Sequence, residues 1–394
     1  MSVWDQIIGQ PEAVHTFTRA VAAATNPRDP GPAMTHAWLV TGPPGSGRST
    51  LAAAFAAALQ CPAGGCGACT VCRTTQGGGH PDVEIIRADT LSYGADDARH
   101  LISRSSVIPT SGRWQVVIIE DSDRFTSEAV NVLLKVLEEP PQHLVWVLCA
   151  PSQEDVLPTI RSRTRSVQLR TPTTSEVSQA LQDRYGIDPA MAAFAARASQ
   201  GHIGRARALA TDEGARIRRQ EVLRSPATLR DLAACFVAAG DLLSAATEDA
   251  QSISTELDAS ETADIRQAYG EGAQGLPSSK TNRLANSALK AAEKTQKSRR
   301  TRLIRDQVDR ALVDLIAYYR DVLILQTGAA IPLINDEMRA QIQREASSAD
   351  LPDTILRWEA IESARAMVAA NGALPLVLEA LMVELKDPRI SQRT

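Results

Sequence analysis

The chain of 394 residues is poor in lysine and in aromatic residues and has no long apolar run. Only six of its 42 basic residues are lysines, and aromatic residues make up 4%. No run of about 18 apolar residues is present, which argues against a transmembrane helix or a membrane partner. The start of the chain has no basic stretch before an apolar core, so we expect no secretory signal and a cytoplasmic location. The net charge of −4 argues against wholesale coating of nucleic acid.

The overall composition is that of a soluble globular protein, with 44% apolar and 22% charged residues. Its length predicts two or three domains. Up to about residue 170, short apolar runs alternate with helical patterns, as in a parallel sheet covered on both faces. The predicted strands are Ala37–Thr41, Val83–Arg87, Gln115–Glu120, Leu144–Cys149 and Ser166–Leu169. The clearest helices between them are Pro11–Ala24, Arg48–Leu59 and Ser127–Glu139.

After residue 170 the pattern is helical throughout. We therefore predict an α/β domain over residues 1–170, a small helical lid domain over 171–212 and an all-α domain over 213–394. Apolar periodicity is strongest at 303–325 and 355–384. The turn-rich segment YGEGAQGLPSS predicts a linker, placed near 269–300.

Residues 42–50, GPPGSGRST, follow a predicted strand and open a helix, as a phosphate-binding loop does. The pattern fits at every fixed position except Arg48, where lysine is expected. In such a loop backbone N–H groups bind phosphate, and Ser49 would hold Mg²⁺. A planar guanidinium cannot replace a compact ammonium between phosphates. Binding of ATP or ADP with Mg²⁺ is therefore left open, and efficient hydrolysis is not expected. The candidate nucleotide-binding residues are Gly42, Pro43, Gly45, Ser46, Gly47, Arg48, Ser49 and Thr50.

Glu120 and Asp121 follow the apolar run VVII. In a phosphate-loop ATPase an aspartate comes first and orders the Mg²⁺ water shell, and a glutamate follows and polarises the attacking water. The order is reversed here, which displaces each carboxylate by about one methylene from the position that the chemistry needs. Glu120 and Asp121 therefore predict a degenerate catalytic pair.

Four of the six cysteines lie within twelve residues, at Cys61, Cys66, Cys69 and Cys72. Four thiolates at this spacing favour a closed tetrahedral site for a structural Zn²⁺ ion. An iron–sulfur cluster and free thiols are the alternatives.

The cysteine module after the phosphate-loop helix, the segment VVIIEDSDRFT and the motif AVNVLLKVLEEPP at 129–141 together resemble bacterial clamp-loader subunits. These are AAA+ proteins of the DNA polymerase III holoenzyme. The segment LPTIRSR at 157–163 resembles the Ser-Arg-Cys motif of that family, with Thr164 in the cysteine position. The resemblance is close over about the first 210 residues and extends to the rest in helical layout only.

Within the family, the gamma/tau motor type keeps the loop lysine and an Asp-Glu pair, whereas the delta-prime type commonly has a degenerate ATP site and keeps Ser-Arg. Arg48, the Glu120–Asp121 order and Gly204, at the place of the family's lid arginine, favour the delta-prime type. The alternative is the ATP-hydrolysing gamma/tau motor itself.

The resemblance implies a subunit with weak or no ATPase of its own, in a five-subunit ring with gamma/tau and delta. That ring loads the sliding clamp onto primed DNA, and the last helical domain would join its collar. Arg163 would act in trans as an arginine finger for a neighbouring ATP site. The other interpretation is that Arg161, Arg163 and Arg165 form an exposed basic edge.

Two further features have two interpretations each. Lys135 pairs with Glu138 or Glu139 along its helix, or lies at a subunit boundary. Residues 280–305 hold nine basic residues and one acidic residue. They form a solvated helical face or a contact with DNA phosphates.

Overall fold

The computed structural model describes residues 2–24, 31–86, 92–105, 108–268 and 279–390. The chain forms two compact units, Met1–Thr211 and Asp212–Thr394. The first unit is α/β and the second is helical, so the predicted fold class is confirmed. The finer division of the first unit into a sheet domain and a lid stays a prediction.

Five parallel strands form the sheet of the first unit, in the spatial order β2-β3-β4-β1-β5. They are β1 (Ala37–Thr41), β2 (Val83–Ile86), β3 (Gln115–Ile119), β4 (Leu144–Ala150) and β5 (Arg165–Gln168). Each strand lies within one residue of its predicted bounds, and Arg87 lies outside the described residues. In the register, Trp38 of β1 is opposite Arg165 of β5 and Val147 of β4.

Nine α-helices accompany the sheet in the described part of this unit. They are α1 (Pro11–Ala23), α2 (Arg48–Gln60), α3 (Thr70–Gln76), α4 (Ala95–Ser105), α5 (Ser127–Glu138), α6 (Pro158–Arg161), α7 (Thr174–Tyr185), α8 (Pro189–Ala198) and α9 (Ile203–Thr211). Local sequence sets several boundaries. Pro11 occupies the first turn of α1, and Pro140 follows the end of α5. Thr173 and Glu176 form a capping box at the start of α7.

The strands are buried on both faces, which explains their nearly continuous apolar sequences. Trp38 and Val40 of β1 pack with Phe17 and Phe55, which belong to α1 and α2. The alternate residues of the same strand, such as Leu39, pack on the opposite face against α4 and α5. The sheet is therefore a rigid middle layer. The loops at the carboxyl ends of its strands (the carboxyl edge) and at their amino ends (the amino edge) are free to carry function.

The second unit contains six α-helices among its described residues. They are α10 (Glu213–Arg224), α11 (Leu232–Ala268), α12 (Ser279–Thr327), α13 (Arg339–Ser348), α14 (Leu351–Ala369) and α15 (Leu374–Lys386). Their apolar faces form one core. The periodic segment 355–384 is divided between α14 and α15. The break occurs at Asn371, whose φ of 64° is left-handed, and the N–H of Gly372 bonds to the carbonyl of Met367 at 2.8 Å.

The predicted linker near 269–300 differs from the structure over part of its length. Residues 269–278 lie outside the described residues, whereas 279–300 belong to α12. Alanine, lysine and arginine are frequent in residues 279–300 and are good helix formers, which explains why this stretch is helical. Among the described residues, no helix has the length and apolarity needed to cross a membrane.

Candidate functional site

The phosphate-binding loop connects the end of β1 to the start of α2, as its sequence predicts. Gly45 and Gly47 have left-handed φ angles of 80° and 97°, which favour glycine. The N–H of Ile203 donates to the carbonyl oxygen of Gly45 at 3.1 Å. A Cβ atom on Gly45 would lie only 2.2 Å from the ring of His202. The start of α9 therefore packs directly on this loop.

The buried side chain of Gln10 links the same loop to the backbone of Arg170. Its side chain is 5% exposed, and Nε2 donates to the carbonyl oxygens of Arg170 at 2.7 Å and Ser46 at 3.4 Å. Its Oε1 accepts from the backbone N–H of Arg170 at 3.1 Å. Sequence reasoning missed Gln10, because nothing in the pattern before Pro11 shows that a polar residue there is buried.

Arg48 begins α2, and its Nη1 atom is buried. Nη1 has no hydrogen-bond partner among the described residues, and neither do the hydroxyls of Thr41 and Ser46 or Oδ1 of Asp123. Burial raises the pKa of Asp123, and the charges of Arg124 and Arg48 offset only part of that rise. Buried polar atoms without partners are rare. A phosphate group in the loop would provide acceptors for the donors among them, so the residues present fit a bound nucleotide.

Glu120 and Asp121 follow β3 at this carboxyl edge of the sheet and are half-buried. The N–H of Glu120 donates to Ile86 at 3.0 Å. Both carboxylates and Arg48 act electrostatically on the buried thiol of Cys149, whose pKa burial raises to about 12. The structure thus brings the reversed acidic pair and the loop arginine to one place, as the sequence predicts.

Arg163 lies at the opposite edge of the sheet from the phosphate loop. It follows α6 and precedes Arg165, the first residue of β5, which is paired with Trp38 near the start of β1. The loop, in contrast, leaves the end of β1 at Thr41. Five residues of strand separate the two edges by roughly 16 Å. Arg163 is therefore placed away from the nucleotide loop of its own chain.

The three arginines of this segment have different surroundings. Arg165 donates to the carbonyl oxygens of Ala33 at 2.6 Å and Pro32 at 3.3 Å, and its guanidinium stacks over Trp38. Arg161 donates to the carbonyl oxygen of Gln153 at 3.4 Å. Arg163 instead pairs with a carboxylate, and its side chain is 34% exposed. Its partner is Glu138, at the end of α5.

That pair changes the interpretation of Lys135. The sequence leaves open a helical pair between Lys135 and Glu138 or Glu139 and a position of Lys135 at a subunit boundary, and the structure bonds Glu138 to Arg163. Among the described residues no salt bridge joins Lys135 to either glutamate. Sequence reasoning missed the role of Glu138 because its partner is 25 residues away along the chain.

The four clustered cysteines converge, as predicted. Their sulfur atoms all lie within 4.8 Å of one another, and Sγ of Cys61 is 3.8 Å from those of Cys66 and Cys69. A tetrahedral ion with bonds of about 2.3 Å to sulfur requires sulfur atoms about 3.8 Å apart. The backbone N–H of Cys72 donates to Sγ of Cys69 at 3.4 Å. The geometry and the donor set fit a four-coordinate metal ion.

The thiols of this cluster differ in their electrostatics. Burial opposes ionisation of Cys61, but backbone hydrogen bonds outweigh it and lower its pKa to about 6. Burial and the neighbouring sulfur atoms raise the pKa of Cys72 to about 12. The cluster also packs on the start of the chain, where the N–H of Val3 donates to Gly65 at 3.0 Å. The module is thus part of the first unit's core.

The basic segment 280–305 is partly engaged within its own unit. Arg299 and Arg300 approach Asp258 at 3.4 and 3.6 Å. Arg305 donates to three carbonyl oxygens at the end of α14, at 3.1 to 3.4 Å. These contacts favour the helical-face interpretation over a continuous DNA-binding surface for the described side chains.

Comparisons with known proteins find similarity over most of the first unit. A family model described as "DNA polymerase III, delta subunit" matches residues 15–173. The gamma/tau subunit of DNA polymerase III from Mycobacterium tuberculosis is 33% identical over 170 residues, which cover 42% of this chain and 28% of that protein. The delta' subunit from Pseudomonas aeruginosa is 35% identical over 134 residues, covering 32% and 41%.

A solved structure of a gamma subunit-related protein from Thermotoga maritima aligns with 96% of this chain and all of that one, at 15% identity and a TM-score of 0.46. The chain spans less than half the length of the two relatives above. Residues 15–173 are therefore similar to the delta-type domain of DNA polymerase III, and the chain shares about a third of its residues with gamma/tau and delta' subunits over the aligned segments.

Proposed function

We propose that the chain is a delta-prime-type, non-motor subunit of the clamp loader of DNA polymerase III. In that role it joins gamma/tau motor subunits and a delta subunit in a ring that places the sliding clamp on primed DNA. Its own ATP turnover is weak or absent, and it supplies Arg163 to the ATP site of a neighbouring motor subunit.

The placement of the two arginines carries this proposal. Arg48 lies within its own nucleotide loop, with a buried nitrogen close to Asp123. Arg163 lies at the other edge of the sheet, partly exposed and bonded to an exposed carboxylate. A cation in that position serves a ligand held by another subunit better than one held by its own.

The chemistry expected of Arg163 is electrostatic. Negative charge develops on the oxygens of the transferred phosphoryl group, and a planar guanidinium can donate two parallel hydrogen bonds to it. The neighbouring subunit would bind the ATP and Mg²⁺ and position the attacking water. The reversed Glu120–Asp121 pair leaves this chain poorly equipped for the same hydrolysis.

A structural Zn²⁺ ion in the four-cysteine cluster is part of the proposal. Zinc favours a tetrahedral set of four thiolates and has no redox chemistry of its own. Elemental analysis should find about one zinc per chain, and Cys69→Ser should lose it. Cys235→Ser, which removes a buried thiol of the other unit, should keep the metal. A metal-free wild type would contradict this assignment.

The gamma/tau motor itself is the second candidate. Two observations favour it: the match to gamma/tau extends over more residues than the match to delta', and the loop retains polar atoms that fit a phosphate. In this case Arg48 would have to support hydrolysis in place of lysine.

ATP turnover by the purified chain distinguishes the two candidates. We expect turnover near background that Ser49→Ala does not change, because the acidic pair is misplaced. Rapid turnover abolished by Ser49→Ala would establish the motor and overturn the proposal. A titration with a fluorescent ATP analogue, with and without the motor subunit, would show separately whether the loop binds nucleotide.

A further inference from the structure

Glu138 holds the guanidinium of Arg163 along one edge. Nε of Arg163 donates to Oε1 of Glu138 at 2.7 Å, and Nη2 donates to the same oxygen. Nη1 donates to the carbonyl oxygen of Thr159 and to Oγ of Ser162, both at 3.0 Å. The guanidinium is thus fixed by its own loop on one side and by α5 on the other.

The end of α5 is a firm support for this contact. Leu137 is buried, and its carbonyl oxygen is hydrogen-bonded to Nε2 of His36 at 2.9 Å. Pro140 prevents the helix from continuing. Glu138 therefore presents its carboxylate from a defined position, and both Glu138 and the neighbouring Glu139 are exposed.

The contact leaves Arg163 accessible. The side chains of Arg163 and Glu138 are 34% and 49% exposed. Arginine has five N–H groups, and its described partners occupy Nε and both Nη atoms without burying the guanidinium. An exposed pair of this kind contributes little to stability. Its main consequence is the orientation of a long side chain.

We propose that Glu138 is a positioning residue for Arg163. Its carboxylate orders the guanidinium before a neighbouring subunit's phosphate arrives, so that less rotamer freedom is lost when phosphoryl transfer occurs. This inference rests on the proposed function, in which Arg163 acts in trans. Glu138 itself touches no phosphate and is distinct from the finger.

A positioning role predicts a specific kinetic pattern. Ordering Arg163 matters when charge develops in the transition state, so the loss of Glu138 should lower kcat and leave KM for ATP unchanged. Because the pair is exposed, added salt screens it. The difference in kcat between a Glu138 variant and wild type should therefore become smaller as ionic strength rises. A purely structural defect would show neither the kcat-only effect nor this salt dependence.

The experiment measures ATP turnover, stimulated by DNA and clamp, in the reconstituted complex. We expect Glu138→Gln to lower kcat by roughly three- to tenfold at low salt, because glutamine keeps an acceptor but loses the charge. Glu139→Gln, one residue away, should behave like wild type. Glu138→Gln combined with Arg163→Ala should be no slower than Arg163→Ala alone, because the glutamate acts only through the arginine.

The outcomes separate this inference from the proposed function. If Arg163→Ala slows turnover but Glu138→Gln matches wild type or is faster, the positioning role is wrong and the finger stands. If Glu138→Gln and Glu139→Gln have equal effects, a general charge effect replaces positioning. If Arg163→Ala itself has no effect, the proposed function and this inference both fail.

Discussion

The carboxyl edge and the amino edge of the sheet are each held by one buried polar side chain, but the two edges have different proposed roles. At the carboxyl edge, buried Gln10 ties the phosphate loop to Arg170. At the amino edge, buried Asp82 ties the loop before β3 to the start of β2. Each edge also carries an arginine. Arg48 has a buried nitrogen beside the acidic pair of its own chain, whereas Arg163 is partly exposed.

In the proposed function, this difference lets one fold lose one catalytic site and keep another. A substitution of Arg48 changes only the binding of a ligand by the phosphate loop of the same chain. Arg163 depends on the amino edge alone, because its partners come from α5 and its own short segment. Substitutions can therefore disturb one edge at a time.

The largest effect is expected at Asp82, which supports the amino edge. Asp82 is 2% exposed, and its carboxylate accepts hydrogen bonds from the backbone N–H groups of residues 110–112 and from the hydroxyls of Thr110 and Ser111. Asp82→Asn removes the charge and an acceptor, and should lower the free energy of unfolding by about 3 kcal/mol. Urea denaturation measures this. Asp96→Asn, at an exposed site, is the control, and equal effects from both would contradict the role of Asp82.

The same site predicts a pH dependence. Burial alone would raise the pKa of Asp82, but the hydrogen bonds from Thr110, Ser111 and Gly112 outweigh it and hold the pKa well below its usual range. The stability from this group is therefore complete above the unfolded pKa of about 3.9 and is lost as the pH falls below it. The difference in the free energy of unfolding between wild type and Asp82→Asn should therefore become smaller below about pH 4.

An intermediate effect is expected at Gly45, at the carboxyl edge. Gly45→Ala requires a left-handed φ for alanine and overlaps the ring of His202, so it should cost about 1–3 kcal/mol of stability. Gly47→Ala has a comparable φ but meets Ile203 only at 3.7 Å. The stability that Gly45→Ala loses beyond the loss in Gly47→Ala therefore measures the overlap with His202. Equal losses would show that this contact is unimportant.

The smallest effect is expected from Arg48→Lys, which should change nucleotide binding but not ATP turnover. Lysine restores a compact charge in the loop and should tighten binding of a fluorescent ATP analogue by about tenfold. Turnover by the purified chain should stay near background, because Glu120 and Asp121 remain reversed. Turnover at the rate of a motor subunit would show that Arg48 alone had silenced the site.

The sequence was sufficient to predict features that depend on local pattern. The five strands follow from short apolar runs, and the convergence of the four cysteines follows from their spacing. The phosphate loop and the acidic pair lie at the same edge because each follows a strand of a parallel sheet.

Features that depend on distant residues could not be predicted in this way. Gln10 and Asp82 resemble ordinary surface residues in the sequence, since only the fold surrounds them with backbone groups. The pairing of Glu138 with Arg163 crosses 25 residues, and it replaces the pair with Lys135 that is one of the two interpretations of that helix.

In the proposed function, the amino edge of this chain, and not its own phosphate loop, contributes to ATP hydrolysis. The most direct measurement compares Arg163→Ala and Ser49→Ala in the reconstituted complex, as ATP turnover stimulated by DNA and clamp, with Arg161→Ala and Arg165→Ala as controls. We predict that Arg163→Ala lowers turnover by about tenfold or more, since an arginine finger strongly stabilises the transition state. Ser49→Ala and the two controls should stay within about twofold of wild type. Loss of turnover with Ser49→Ala, and none with Arg163→Ala, would contradict the claim.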